Sequence, residues 1–149
     1  MQIKTKWILG VFMMVFLFLA LFWRWLHSPL PQYVGEKKLP PLQKKVDVYT
    51  DRFGVPHVFA ENEKDLFFSA GYIAARERLF QLSMVALAVK GELASVLGES
   101  YLKKDIYLRT WKIYDTAKKL VDNMDENNRK IFESFCRGIN YRIDEISVR

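Results

Sequence analysis

The side chains that could act as nucleophiles in this sequence are seven serines and one cysteine. A catalytic serine is typical of a Gly-x-Ser-x-Gly turn or of an amino terminus exposed by cleavage. No serine in the sequence lies in such a turn, and none follows an obvious cleavage site. We therefore expect no catalytic nucleophile among Ser28, Ser69, Ser83, Ser95, Ser100, Ser134 and Ser147.

Cys136 is the sole cysteine, so the sequence excludes an internal disulfide. It stands among Phe132, Phe135 and Ile139 on a predicted helix. Apolar surroundings suppress formation of the reactive thiolate. We interpret Cys136 as a buried and inert thiol.

The two histidines, His27 and His57, are far apart in the sequence, and no cluster with metal-ligand spacing is visible. His57 follows Pro56 in a predicted strand. A structural hydrogen bond is favoured there over a catalytic role.

Two arginines and a glutamate, residues 76–78, lie on a predicted helix that is otherwise strongly apolar. Burying a charge is costly unless the charge is paired. We therefore expect Arg76 and Arg78 to form structural ion pairs with carboxylates, with Asp105 as one candidate partner. This interpretation is favoured over contact with a substrate.

The net charge is +6, and a basic balance can indicate a nucleic-acid or anionic-membrane partner. The lysines and arginines are scattered among 17 acidic residues, which argues against nucleic acid. Basic pairs at 37–38 and 44–45 follow the apolar amino terminus and favour anionic lipid. The length of 149 residues allows one domain at most.

The amino-terminal segment is uncharged from Trp7 to Trp23. With residues 24–26 it reaches about 20 residues, which as a helix would span the roughly 30 Å core of a bilayer. The alternatives are a cleaved signal peptide and an uncleaved anchor. No pair of small residues at cleavage spacing follows Ala20, so we favour an anchor at 1–27 that contacts the lipid bilayer through residues 7–26.

The elements after the anchor begin with a proline-rich tether at 28–44, since proline fixes φ and removes a hydrogen-bond donor. A partial domain follows at 45–149. Short apolar runs at 46–49 and 55–60, separated by a turn that ends at Gly54, predict a β-hairpin. The fragment is therefore expected to be mainly α with a short amino-terminal β-hairpin.

Four helical segments are predicted after the hairpin, at about 63–89, 92–97, 105–121 and 126–146. The first is apolar over most of its circumference, and we expect its aromatic residues Phe67, Phe68, Tyr72 and Phe80 to be core. Such a helix needs burial on several sides. A chain this short offers little cover, which indicates that partner structure is missing.

An ordered set of short motifs runs through the same region. It reads Gly-Val-Pro-His-Val at 54–58, Gly-Tyr at 71–72, Arg-Leu-Phe-Gln at 78–81 and Gly-Glu-Leu-Ala at 91–94. This order resembles the start of the α chain in the penicillin acylase (penicillin amidase) family of N-terminal-nucleophile hydrolases. The positions that we take from it as structural motif residues are Gly54, Pro56, His57, Asp65, Gly71, Arg78, Gln81, Gly91, Gly98, Asp105 and Arg109.

Some positions depart from the family pattern. Glu77 stands where an Asp is usual, Leu82 where a Met is usual, and Ser95 where a Glu is usual. An Arg-Arg pair that is usual before the Gly91 position is replaced by the apolar stretch 85–89 and Lys90. These departures leave the substrate preference more open than the fold.

The resemblance implies a four-layer αββα fold for the whole enzyme and a location on the extracytoplasmic side of the membrane. It also implies a serine nucleophile at the start of a separate β chain cut from the same precursor, so this chain holds no catalytic, cofactor-binding or metal residue of its own. Penicillins, acyl-homoserine lactones or similar N-acyl amides are the implied substrates. A structural calcium is possible in the full-length enzyme, with ligands outside this chain.

Two hypotheses follow from these observations. The chain is either the amino-terminal fragment of a membrane-anchored amidohydrolase, inactive without its β chain, or a non-catalytic, membrane-tethered helical module that binds a protein partner. The first hypothesis explains the order of the motifs and the excess of apolar residues on the long helix. The second explains only the composition and the anchor.

Overall fold

The computed structural model describes residues 2–27 and 33–147. The chain divides into two compact units, with the division between Lys38 and Leu39. The first unit contains one helix, α1 (Gln2–His27). Part of the predicted tether, with Ser28 and two of its prolines, lies outside the described residues, and residues 33–45 form neither helix nor strand.

The prediction of a single-pass membrane protein, with its remaining residues on the extracytoplasmic side, is wrong. Among the residues that the structure describes, no helix has both the length and the apolar character needed to cross a membrane. The uncharged run lies between Lys6 and Arg24. As a helix it rises only about 26 Å, which is short of the roughly 30 Å hydrocarbon core.

The second unit begins with the predicted hairpin. Strands β1 (Val46–Thr50) and β2 (Pro56–Ala60) are antiparallel, with Val46 opposite Ala60 and Thr50 opposite Pro56. Pro56 is the first residue of its strand, where a missing N–H donor disturbs the ladder least. Gly54 in the connecting turn has φ +80°, a conformation that glycine adopts without a steric penalty.

Helix α2 (Glu63–Lys90) confirms the predicted long helix. Its first turn is capped by Asn62, whose side-chain oxygen accepts a hydrogen bond from the Asp65 backbone N–H at 2.8 Å. The helix ends at Gly91, which has φ +67° and donates its N–H to the Ala88 carbonyl.

Helix α6 (Glu126–Ser147) packs along the first half of α2 and forms the core of the unit. Two glycines allow this close approach. A Cβ added at Gly71 would overlap the Phe135 carbonyl, and a Cβ added at Gly138 would overlap the Phe68 carbonyl. The residues buried at or beside this contact are Phe68, Tyr72, Ile73, Ala75 and Ser134.

Three short helices connect α2 to α6, namely α3 (Ala94–Leu97), α4 (Leu102–Thr110) and α5 (Ile113–Asp122), with a 3₁₀ turn at Glu99–Tyr101 before α4. The prediction of one continuous helix over 105–121 is wrong. Lys112 has φ +51° and ends the helical path between α4 and α5. A helix cannot continue through a left-handed residue.

Several side chains that were predicted to be buried are exposed. Cys136 is exposed, because it lies about 100° around α6 from Phe135, whose backbone approaches α2 at Gly71. Phe80 is 73% exposed, although Phe68 and Tyr72 are buried as predicted. The second half of α2 is therefore left with little cover by the described part of the chain.

Candidate functional site

Asp65, in the first turn of α2, is a fully buried carboxylate that connects three segments. Its oxygens accept hydrogen bonds from the Gln43 N–H at 3.0 Å, the Lys44 N–H at 2.9 Å and the Asn62 side-chain amide at 2.7 Å. The carboxylate therefore joins the segment before β1 to the start of the long helix.

The environment of Asp65 lowers the pKa of its carboxyl group below the usual value. Burial acts in the opposite direction and is the largest single effect, but the hydrogen bonds from Gln43, Asn62 and Lys44 together outweigh it. Asp65 is thus held as an anion and acts as an acceptor for backbone N–H groups. It is not arranged as a general base, because its oxygens are already occupied.

A second buried carboxylate lies where α2, α3 and α4 meet. Asp105 is 4% exposed and accepts the Leu93 N–H at 2.9 Å and the Ala94 N–H at 2.7 Å. These N–H groups lie at the start of α3, where no residue of the preceding loop caps the helix with its side chain. Asp105 therefore caps α3 from a different helix.

Arg109, one turn after Asp105, closes the same junction. Its Nε donates to the Gly91 carbonyl at 2.9 Å. A Cβ at Gly91 would stand 2.6 Å from the Arg109 Cγ and 2.9 Å from the Asp105 carbonyl oxygen. Gly91 is needed here for its left-handed φ and for this close contact. A surface cavity of about 200 Å³ opens beside the junction, with Leu102 and Ile106 among its lining residues.

The hairpin turn contains the third group of motif residues. One carboxylate oxygen of Asp51 accepts the Phe53 N–H at 2.8 Å and the Val55 N–H at 2.9 Å, and the other lies 3.3 Å from the His57 Nε2. These contacts hold the pKa of the Asp51 carboxyl below its usual value. The hydrogen bond from the Val55 N–H has the largest effect, and those from His57 and Phe53 add to it. His57 therefore lies within hydrogen-bond distance of Asp51 on an exposed turn.

A break in α2 contains the motif residues Arg78 and Gln81. Arg78 has φ −138° and ψ 29°, which is not helical, and its guanidinium lies 3.4 Å from the Gln81 side-chain oxygen. Arg76 pairs with the adjacent Glu77 at 2.7 Å. The expected carboxylate partner of Arg76 is thus present, but it is not Asp105, the candidate that was named, because the Asp105 oxygens accept backbone N–H groups.

A polar contact that sequence reasoning missed joins α2 to the end of α6. The Tyr72 hydroxyl donates to the Glu145 carboxylate at 2.9 Å, and the Arg142 guanidinium contacts the same oxygen at 2.7 Å. The Ser134 hydroxyl donates to the Lys64 carbonyl at 2.9 Å. The i, i+3 spacing of Arg142 and Glu145 is the only sequence signal that could have indicated this group.

The predicted motif residues therefore occupy separate places and do not converge on one reaction centre. Gly54, Pro56 and His57 lie at the hairpin turn, Asp65 and Gly71 on the buried half of α2, and Arg78 and Gln81 at its break. Gly91, Asp105 and Arg109 meet at the α2–α3–α4 junction, and Gly98 follows α3 with φ +89°. In this arrangement the motif residues hold backbone segments in position.

Cofactor and metal chemistry were tested on the same residues. Within residues 2–27 and 33–147, no group of three or more His, Cys, Asp and Glu side chains could hold a metal ion. The family resemblance allows a structural calcium in a whole enzyme. These described residues provide no set of ligands for it. The buried carboxylates Asp65 and Asp105 do not fit that purpose, because backbone N–H groups occupy their oxygens.

Residues 45–149 match the family model described as penicillin amidase. Penicillin G acylase from Escherichia coli is 30% identical over 105 residues, which cover 69% of this chain and 12% of that protein. An acyl-homoserine lactone acylase from Pseudomonas fluorescens is 30% identical over 114 residues, covering 76% of this chain and 14% of that protein. This chain thus spans about an eighth of the length of these relatives.

The fold is similar to that of a solved structure as well. Thermostable penicillin G acylase from Alcaligenes faecalis superimposes with a TM-score of 0.62 at 31% sequence identity. The match covers 70% of this chain and 56% of that chain. The mainly helical arrangement with its short hairpin is therefore that of an acylase segment.

Proposed function

Since this chain belongs to the penicillin amidase family, we propose that it is the amino-terminal part of a precursor whose product hydrolyses N-acyl amide bonds. The observation that carries the proposal is that each match includes most of this chain but only a small share of the relative. Most of this chain matches proteins that are about seven to eight times the length of the match, as the 12% and 14% shares imply.

The exposed apolar surface of the second unit supports the same proposal. Phe80 and Val85 on α2 are 73% and 56% exposed, and Trp111 after α4 is 64% exposed. Large apolar side chains exposed on several elements are consistent with a surface that other polypeptide covers. The remainder of the precursor is the polypeptide that would cover it.

The chemical step would be carried out by the remainder of the precursor. An amino-terminal serine there would attack the amide carbonyl while its own α-amino group takes the hydroxyl proton. The C–N bond would break as the amine leaves with that proton, and water would then hydrolyse the acyl-enzyme to release the acid. The part that this chain plays is structural. Its buried carboxylates fix backbone segments, and its helices offer surface to the catalytic part, so the chain alone is inactive.

The substrate class is an N-acylated amine. Two relatives are named for penicillin G and for acyl-homoserine lactones. We propose this class for the complete enzyme, without preference between the two, because both relatives are 30% identical to this chain.

The test is to sequence the source locus beyond the codon for Arg149 and to express the complete product. We expect a frame that continues for several hundred residues, a serine at a cleaved junction, and release of acid from penicillin G or an N-acyl-homoserine lactone. The isolated chain should release none. A stop codon directly after Arg149, or a complete product inactive on both amides, would refute the proposal and favour a non-catalytic interaction module.

A further inference from the structure

An exposed aromatic corner lies at the break between α4 and α5. We define the Trp111 corner as Tyr107, Trp111, Lys112, Ile113 and Tyr114. The four apolar members are 60%, 64%, 39% and 49% exposed in that order. Tyr107 and Trp111 also pack edge to face, with ring centroids 6.0 Å apart. Four large apolar side chains within eight residues are thus exposed, and two of them pack against each other.

The backbone at the corner is strained. Lys112 has φ +51° and ψ 37°, and it is the one described residue other than glycine with a positive φ. A left-handed residue with a Cβ costs roughly 1–2 kcal/mol. Its side chain takes part in no ion pair among the described residues. Strain of this kind is typical of segments that present side chains to a ligand or partner.

Lysines outnumber carboxylates around the corner, where Asp115 and Asp122 of α5 are the exposed acidic residues. Lys103 and Lys104 on α4 and Lys118 and Lys119 on α5 form no salt bridge within the described part of the chain. The acidic residue of α4, Asp105, is buried and bonded to backbone N–H groups. A partner surface should therefore be apolar at its centre and carry carboxylates at its edge.

We propose that the Trp111 corner is the surface on which the later part of the same precursor docks, an inference that rests on the proposed function. The occupant is indicated by the missing length, because the matched segment makes up only 12–14% of the relatives. The solved acylase chain likewise extends beyond the 56% that this chain covers. Tryptophan and tyrosine are the residues that contribute most to binding at such surfaces.

The test uses the complete product of the locus with a photoreactive amino acid in place of Trp111. The substitution Trp111→p-benzoylphenylalanine keeps an aromatic ring at the position. After irradiation, mass spectrometry of the digest should identify a cross-link from position 111 to an apolar peptide with acidic residues that lies beyond residue 149 of the same molecule. Tyr141→p-benzoylphenylalanine is the positive control, since the Tyr141 ring lies 5.9 Å from Phe68 and should cross-link to α2.

Two further variants separate docking from folding. Trp111→Ser should lower the fraction of precursor that matures by several fold, whereas Trp111→Phe should retain most of it. Cross-links from position 111 only within residues 1–149, or only to a second copy, would overturn the inference. An enzyme that hydrolyses amides without any cross-link from position 111 beyond residue 149 would overturn this inference alone, whereas a protein that ends at residue 149 would overturn the proposed function too.

Discussion

Asp65 shows how one carboxylate can fix the positions of several backbone segments relative to one another. It is completely buried, yet its anion is retained because three N–H donors point at it. Two of these donors belong to the segment before β1, so the helix start and the hairpin are positioned by the same side chain. Removal of the charge would leave those N–H groups poorly bonded.

We predict that Asp65→Asn lowers the free energy of unfolding by about 1–3 kcal/mol at pH 7. The folded pKa of Asp65 is lowered, so its contribution is complete above the unfolded pKa of about 3.9 and is lost as the pH falls through the folded value. The difference between the two proteins should therefore shrink in acid. Thermal melting followed by circular dichroism at several pH values measures it.

Asp115→Asn is the matched control for this prediction, since Asp115 is exposed on α5. It should leave the melting temperature almost unchanged at every pH. An Asp65→Asn protein that is as stable as the wild type at pH 7 would show that the buried hydrogen bonds contribute nothing net.

The motif residues could be identified from the sequence, but their partners could not. Asp105 was one candidate partner for the arginine side chains, whereas it binds the backbone N–H groups of Leu93 and Ala94. A backbone donor is present at almost every residue and so gives no sequence signal. Cys136 was misjudged because it lies one turn after Phe132, which is itself exposed, and about 100° around α6 from Phe135.

The contact between α2 and α6 depends on the two glycines that bring the helix backbones together. Every larger residue would place a Cβ inside the volume of a carbonyl on the opposite helix. The carbonyl belongs to a helix and cannot turn away, so the helices themselves would have to separate. This contact therefore limits the stability of the second unit.

We predict that Gly138→Ala destabilises the chain by about 1–3 kcal/mol, as overpacking does in a well-packed core. Alanine has a higher helix propensity than glycine, so the loss must come from overlap with the Phe68 carbonyl. Asn140→Ala on the exposed side of α6 is the control and should be neutral or slightly stabilising. Urea unfolding compares them, and equal midpoints for both variants would contradict the packing argument.

The break between α4 and α5 is the element that sequence patterns predicted least well. The hairpin and α2 have local signals, namely Gly54 in the turn and an Asn62 cap followed by Asp65. Lys112 has no such signal, because lysine favours a helix and not the left-handed φ that it adopts here. The sequence was therefore interpreted as one helix over 105–121.

We predict that Lys112→Gly stabilises the chain by about 0.5–1 kcal/mol, because glycine adopts a positive φ without the Cβ penalty. The same change at Lys118, inside α5, should destabilise it by about 1 kcal/mol through loss of helix propensity. Differential scanning calorimetry of both variants provides the measurement. A lower melting temperature for Lys112→Gly would indicate that the lysine side chain stabilises the corner by more than the strain costs.

At the scale of the whole molecule, the described residues bury few apolar side chains and expose many. The fully or nearly buried apolar side chains of the described residues are few: Phe68, Tyr72, Ile73, Ala75 and Leu93. Large apolar side chains are far more numerous among the exposed residues of both units. The sequence anticipated this imbalance in the excess of apolar residues on α2, although the particular residues left exposed depend on how α4, α5 and α6 pack.

We predict from this imbalance that residues 39–149, produced alone, associate into oligomers and bind a hydrophobic dye. The combined substitution of Phe80, Ile106 and Trp111 by serine, all at least 59% exposed, should shift the protein towards monomer and reduce dye fluorescence by several fold. The change removes apolar contact between copies and leaves the α2–α6 core untouched. Sedimentation velocity at several concentrations measures the association.

The buried counterpart Phe68→Ser supplies the contrast for this last test. It should unfold the unit and raise dye binding, since Phe68 is 1% exposed and packs at 5.9 Å from the Tyr141 ring. Opposite effects of the surface and core changes would show that association comes from a folded but uncovered surface. A wild-type fragment that stays monomeric and melts cooperatively would show that the surface needs no cover, and it would remove the structural support for a missing remainder.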